Sequence, residues 1–175
     1  MSDPFQILGL PRRFCLDLKL AEARHLELSK ALHPDRYVGA PANERRMALS
    51  RAVEVNEAWR AVRDPIKRAE ASLRLSGLEG EVGETREPKP SGAFLMEVME
   101  QREQLDEAKA SRDVARVEAI VGEAKAQFAA TEKALLDAIY GGGELRAAIP
   151  LLGRLRYAAR FLSEARNAED DLAGI

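Results

Sequence analysis

One cysteine, Cys15, is all that the 175 residues hold. A single thiol closes no intrachain disulfide, and no thiolate cluster exists for zinc or iron. Histidine is nearly as scarce, with only His25 and His33. No run of about 18 apolar residues occurs, so no segment reads as a membrane span. The start, Met1-Ser2-Asp3-Pro4-Phe5, lacks the charged-then-apolar layout of a signal peptide. A soluble, cytoplasmic protein is the expectation. Period-two alternation is missing as well, which excludes half-buried strands and leaves an all-α chain. There is no Gly-rich phosphate loop, no paired-carboxylate signature, no metal-ligand spacing and no internal repeat, so no cofactor is expected.

Charge of one sign is lacking only on balance. Lys and Arg total 27 and Asp and Glu 29, a net of −2. Residues 1–76 hold 14 basic and 10 acidic residues, whereas the remainder holds 13 and 19. A basic first part and an acidic second part suggest two surfaces for two partners. The arginines around Arg45, Arg46, Arg51 and Arg60 interleave with acids and lack stacking aromatics, which disfavours nucleic acid.

Helical signals fill most of the chain. Asp3-Pro4 is a cap followed by proline at a first helical position, and Gly9-Leu10-Pro11 stops the turn. Asp17 caps a helix running to Leu32, with Leu18, Ala21, His25, Leu28 and Leu32 on one face. A further helix spans roughly Asn43 to Val62, with Ala48, Ala52, Val55, Trp59 and Val62 inward. Asp64-Pro65 opens a fourth, packing through Ile66, Ala69 and Leu73 and ending at Gly77. These make a small helical domain, residues 1–76. Residues 77–92 contain four glycines, two prolines and a run of charges. Such a stretch buries no face and reads as a linker.

Residues 93–175 are predicted to form a three-helix bundle. Phe94 to Ala108 carries Leu95, Met96, Val98, Met99 and Leu105 between acids. Asp113 caps a long helix with Val117, Ile120, Val121, Ala124, Phe128, Leu135 and Ile139 inward, stopped by Gly141-Gly142-Gly143. Glu144 to Leu172 is the last, with Leu151, Leu155, Tyr157, Ala158 and Leu162 apolar. Pro150 inside that pattern marks a kink or the true start, because an interior proline costs about 3 kcal/mol.

His33-Pro34-Asp35 is the one place where polar residues sit without a packing reason. Proline just past a helical pattern stops the helix, so the tripeptide is a loop between two helices. Three readings compete for it. His33 could cap the preceding helix while Asp35 starts the loop. His33 could be a general base oriented by Asp35, although no nucleophile accompanies the pair. Or the loop could present a fixed carboxylate to a basic partner. A metal site would need two or three further ligands, and His25 lies on the core-facing side.

The helix–His-Pro-Asp–helix layout resembles the J-domain of co-chaperones that act on DnaK-type heat-shock chaperones. Asp35-Arg36-Tyr37, Val55-Asn56-Glu57-Ala58-Trp59 and Asp64-Pro65-Ile66-Lys67-Arg68-Ala69 are similar to one subfamily, the HscB or Jac-type iron–sulfur co-chaperones. The stretch Phe94 to Glu107 resembles the hallmark of that subfamily's C-terminal bundle, and Leu155-Arg156-Tyr157 its last-helix motif. His25 and Leu32 stand where relatives usually have aromatics, and the Cys-x-x-Cys extension of some eukaryotic members is absent.

The resemblance implies a J-domain over 1–76, a linker over 77–92 and a scaffold-binding bundle over 93–175. It implies that His33, Pro34 and Asp35, with Arg24 and Lys30 as steering charges, dock on the ATPase domain of a DnaK/HscA-type chaperone. It further implies that Leu95, Met96, Met99, Glu100, Glu103, Glu107 and Tyr157 bind an iron–sulfur scaffold protein of the IscU type. From pattern alone Leu95, Met96 and Met99 fit a bundle core equally well, and Glu100, Glu103 and Glu107 a solvated face. The expected role is an adaptor, not an enzyme, promoting iron–sulfur cluster assembly. A J-domain co-chaperone serving another client in general protein folding is the alternative.

Overall fold

A computed structural model describes residues 3–12, 16–83, 86 and 90–174. Cys15 and part of the Gly/Pro/charge-rich stretch lie outside the described residues. The described chain is helical, without strands, and divides into two compact units, Met1–Glu79 and Gly80–Ile175.

The first unit opens with α1, Pro4–Ile7, capped by Asp3, whose carboxylate accepts from the amides of Phe5 and Gln6. Phe5 and Leu8 are fully buried. Helix α2, Leu18–Ala31, starts at Asp17 as the spacing predicts, its carboxylate accepting from Lys19 and Leu20 N–H. Helix α3, Ala42–Arg63, buries Ala48, Val55, Ala58 and Val62. Together α1, α2 and α3 enclose one core of Phe5, Leu8, Leu10, Ala21, Val55, Ala58 and Val62. Leu18, expected on the inner face of α2, is 43% exposed at the first helical position.

His25 explains how the hairpin does without one aromatic. Its ring stacks on Trp59 of α3 with centroids 5.2 Å apart and planes 10° off parallel. Its Nε2 lies 3.0 Å from Asn56 Oδ1 and 3.2 Å from Ser29 Oγ. A flat ring with a polar edge thus fills the site and ties α2 to α3.

Helix α4, Pro65–Leu73, is capped by Asp64 and continues as a wide π-type turn, Arg74–Leu78. Gly77 sits there at φ +94°, a left-handed conformation that favours glycine. Arg68 is buried at 6% exposure and donates from Nη1 to the Val62 carbonyl at 2.7 Å, near the end of α3. Charge patterning gives no hint of a buried arginine here. Beyond Gly77, Leu78 and Val82 are buried, so the linker-like stretch is not wholly exposed.

The second unit consists of α5, Gly92–Ala110, α6, Val114–Tyr140, and α7, Ala148–Ala173. Its core includes Leu105 and Ala108 of α5, Val117, Ile120, Val121 and Ala124 of α6, and Phe161, Leu162, Ala165 and Ala168 of α7. Gly141 ends α6 with its N–H on the Asp137 carbonyl at 2.7 Å. A Cβ there would clash with that carbonyl oxygen, so glycine is required by close approach.

Pro150 occupies the third position of α7, after a 3₁₀ turn at Leu145–Ala147. The first four amides of a helix have no intrahelical acceptor, so its missing N–H costs nothing there. It marks the start of the helix. The inner face of α7 is also displaced from the sequence reading: Leu152 is fully buried, whereas Leu151 is only partly so.

Phe161 anchors this core at 3% exposure. Phe161→Ala is expected to lower the bundle's stability by about 3–5 kcal/mol, read from hydrogen exchange of the α6 amides. A loss below about 1 kcal/mol would contradict the packing described.

Candidate functional site

Two surfaces stand out, one on each unit. In the first, Leu32 is the C-cap of α2 and its amide bonds the Leu28 carbonyl. The chain then enters a 3₁₀ turn, Pro34–Tyr37. His33 caps this following turn, not the preceding helix: its Nδ1 accepts the Asp35 N–H at 3.3 Å. The Arg36 N–H closes on the His33 carbonyl at 3.0 Å, and the Tyr37 hydroxyl reaches the Ala31 carbonyl at 3.5 Å. Proline's fixed φ and these bonds hold the backbone, while the Asp35 side chain remains 85% exposed.

Asp35 Oδ2 lies 3.5 Å from His33 Nδ1. The same nitrogen accepts the Asp35 amide, so the imidazole orders the backbone beside the carboxylate.

The two cations expected to accompany the loop do not share a face. Arg24 and Lys30 are six residues apart, which at 3.6 residues per turn sets them about 120° apart around α2. Arg24 bonds Glu27 Oε2 through Nη1 at 3.0 Å. As an exposed pair this is worth ~0–1 kcal/mol. Lys30, in the last turn nearest His33, makes no ion pair among the described residues.

In the second unit, α5 turns Phe94, Val98, Leu105 and Ala108 inward. Leu95, Met96 and Met99 are 38, 65 and 69% exposed. They are therefore surface residues, which resolves the ambiguity of the pattern. Helical spacing divides the outer side into two rows. Leu95, Met99 and Arg102 follow i, i+4, i+7, and Arg102 forks onto Glu164 of α7 at 2.9 and 2.7 Å. That row therefore borders α7. Met96, Glu100, Glu103 and Glu107 form the neighbouring row, all exposed.

Tyr157 of α7 is half-buried, edge-on to Phe94 with centroids 5.6 Å apart and planes at 85°. Arg154 lies over the Phe94 ring, its guanidinium carbon 5.0 Å from the centroid. The pKa of Arg102 is raised, foremost by its hydrogen bonds to Glu164 and further by the nearby Tyr157 and Asp106. Arg102 and Arg154 were not legible as parts of this surface. The only hint for Arg102 was its place in the Leu95–Met99 row.

Gln101 bonds Gln127 at 3.0 Å, and Arg116 bonds Gln104 at 2.8 Å, so polar contacts fix α5 to α6 as well. Among the described residues, no group of three or more His, Cys, Asp or Glu side chains could hold a metal ion. No described helix is long and apolar enough to cross a membrane. A cleft of about 480 Å³ lies in the first unit between Pro4, Ile7, Ala58 and Ala71, and no residue of the His33 loop lines it.

Comparison with known proteins covers both units. The family model of the HSCB C-terminal oligomerisation domain matches residues 91–166. The chain is 35% identical over 170 residues to the co-chaperone protein HscB homolog of Haemophilus influenzae, covering 97% of each. It is 33% identical to that of Mannheimia succiniciproducens, over 99% of each. Among solved structures it is similar to chaperone HscB from Vibrio cholerae, with TM-score 0.86, 30% identity, and 98% and 99% of the two chains covered. Human co-chaperone protein HscB matches in fold, with TM-score 0.84 at 23% identity over 95% of this chain and 82% of that one.

Because Met96 and Met99 are mostly exposed, Met96→Ala with Met99→Ala is expected to change stability by no more than about 0.5 kcal/mol per site. Val98→Ala, one position from Met99 but inward, should cost about 1 kcal/mol or more. Urea unfolding that ranks the two the other way would return the methionine row to the core.

Proposed function

This chain belongs to the HscB co-chaperone family, and we propose that it is a two-ended adaptor in iron–sulfur cluster assembly. One end, His33, Pro34 and Asp35 with Arg24 and Lys30, engages the ATPase domain of a DnaK/HscA-type chaperone and speeds ATP hydrolysis there. The other end, Leu95, Met96, Met99, Glu100, Glu103, Glu107 and Tyr157, binds a scaffold protein of the IscU type. In this proposal residues 1–76 act as a J-domain, 77–92 as a linker and 93–175 as the scaffold-binding bundle.

The observation that carries the reading is an apolar patch, Leu95, Met96 and Met99, left exposed beside a core that Phe94 and Val98 already fill. Exposed methionines beside a completed core suit an adaptable protein interface. The acids of the neighbouring row give that interface a sign, which steers encounter with a basic partner more than it adds affinity.

The loop supports the other half. An isolated surface carboxylate would gain only ~0–1 kcal/mol from an ion pair. A carboxylate on a backbone already ordered by proline and the His33 acceptor loses less freedom on docking, and a bidentate arginine on the partner could exploit it. Arg24 and Lys30, on different sides of α2, suit long-range steering better than one contiguous contact. The adaptor has no chemistry of its own in this account: hydrolysis takes place on the chaperone.

Asp35→Ala tests the proposal. With 85% of the side chain exposed, the variant should fold with wild-type helicity, bind the scaffold unchanged, and lose stimulation of the chaperone's ATPase. Stimulation at the wild-type level would refute the assignment of the loop.

A further inference from the structure

The scaffold-facing side of the bundle has one strongly basic element that the proposed contact set leaves out. Helices α5 and α7 run parallel: Phe94 meets Arg154 and Tyr157, while further along Arg102 meets Glu164. Both helix N-termini, with their partial positive charge, thus lie at the Leu95 end of the apolar row. Arg154 stands at that end. It is exposed, and among the described residues its guanidinium makes no ion pair and lies over the Phe94 ring, 5.0 Å from the centroid. Helix α7 carries no acid from Ala148 to Ser163.

Glu100, Glu103 and Glu107 run the other way, and Glu107 lies in the last turn of α5, where the helix dipole disfavours it. The apolar row therefore has a positive pole at Arg154 and a negative pole at Glu107.

From this polarity we infer that Arg154 is a specificity-determining residue of the scaffold-binding surface, pairing with a carboxylate of the scaffold and fixing the direction in which it docks. The inference rests on the scaffold reading above. It commits the partner to a stated chemistry: an apolar contact flanked by basic residues at one end and an acidic residue at the other. Stacked on Phe94, the guanidinium is held in place before the partner arrives, so little rotamer freedom is lost on pairing. A scaffold approaching in the reverse direction would set its basic residues against Arg154 and its acid against the glutamates. Like-charge juxtaposition of that kind excludes wrong orientations.

Calorimetric titration of the full chain with a purified IscU-type scaffold tests this through a charge series. Arg154→Lys should bind within about twofold of wild type, Arg154→Gln about threefold weaker and Arg154→Glu about tenfold weaker or more. Equal weakening in all three would mean that the side chain only packs on Phe94, and would overturn the inference. Wild-type binding by Arg154→Glu overturns it too. In that case loss of binding by Leu95→Ala with Met99→Ala leaves the scaffold reading standing, whereas wild-type binding by that variant as well removes both. Sedimentation of the chain alone excludes another occupant: a dimer that Arg154→Glu dissociates would assign the face to a second copy and refute the proposal.

Discussion

A helix in a three-helix bundle has one buried face, and the second unit depends on that limit. Helix α5 satisfies the bundle with Phe94, Val98, Leu105 and Ala108, at intervals that close the inner face. Leu95, Met96 and Met99 belong to other rows of the same helix, so they must face water. No repacking brings them inside without turning α5 and expelling Phe94 and Val98. The exposed row is thus imposed by geometry, and the ion pair from Arg102 to Glu164 and the glutamine pair from Gln101 to Gln127 hold α5 in that rotation. A surface presented this way is preorganised for a partner, which lowers the ordering cost of binding.

The first unit uses a different device for the same end. Its loop is excluded from the helices by Pro34 and ordered locally by the His33 ring and the carbonyls of Ala31 and His33. Asp35 is held by its backbone while its carboxylate stays in water. Both surfaces combine a fixed main chain with exposed side chains, one apolar and acidic, the other polar. That division matches the uneven charge of the chain, basic before residue 77 and acidic after it.

Much of this was legible in the sequence because it rests on period and caps. Asp17, Asp64 and Asp113 each cap the helix expected of them, and Gly141 stops α6. What escaped was set by tertiary neighbours. His25 reads as a core-facing polar residue until Trp59 is found beneath it at 5.2 Å. Arg68 is buried because the end of α3 offers a carbonyl, which no local pattern reveals. Leu151 and Leu152 are equally apolar, and only the direction of α7 after its 3₁₀ turn decides which is buried. The methionine row was ambiguous for the same reason: periodicity gives the faces of a helix but not which face its neighbours cover. Once Phe94 and Val98 are seen to cover the inner one, the remaining apolar residues point to function.

The central claim is that one chain couples two partners through two surfaces. The most direct test is the steady-state ATPase rate of a DnaK/HscA-type chaperone with this chain and an IscU-type scaffold, added singly and together. Coupling predicts that the two together raise the rate well above the sum of their separate effects, because the adaptor delivers the scaffold to the chaperone it triggers. A rate equal to that sum would contradict the account.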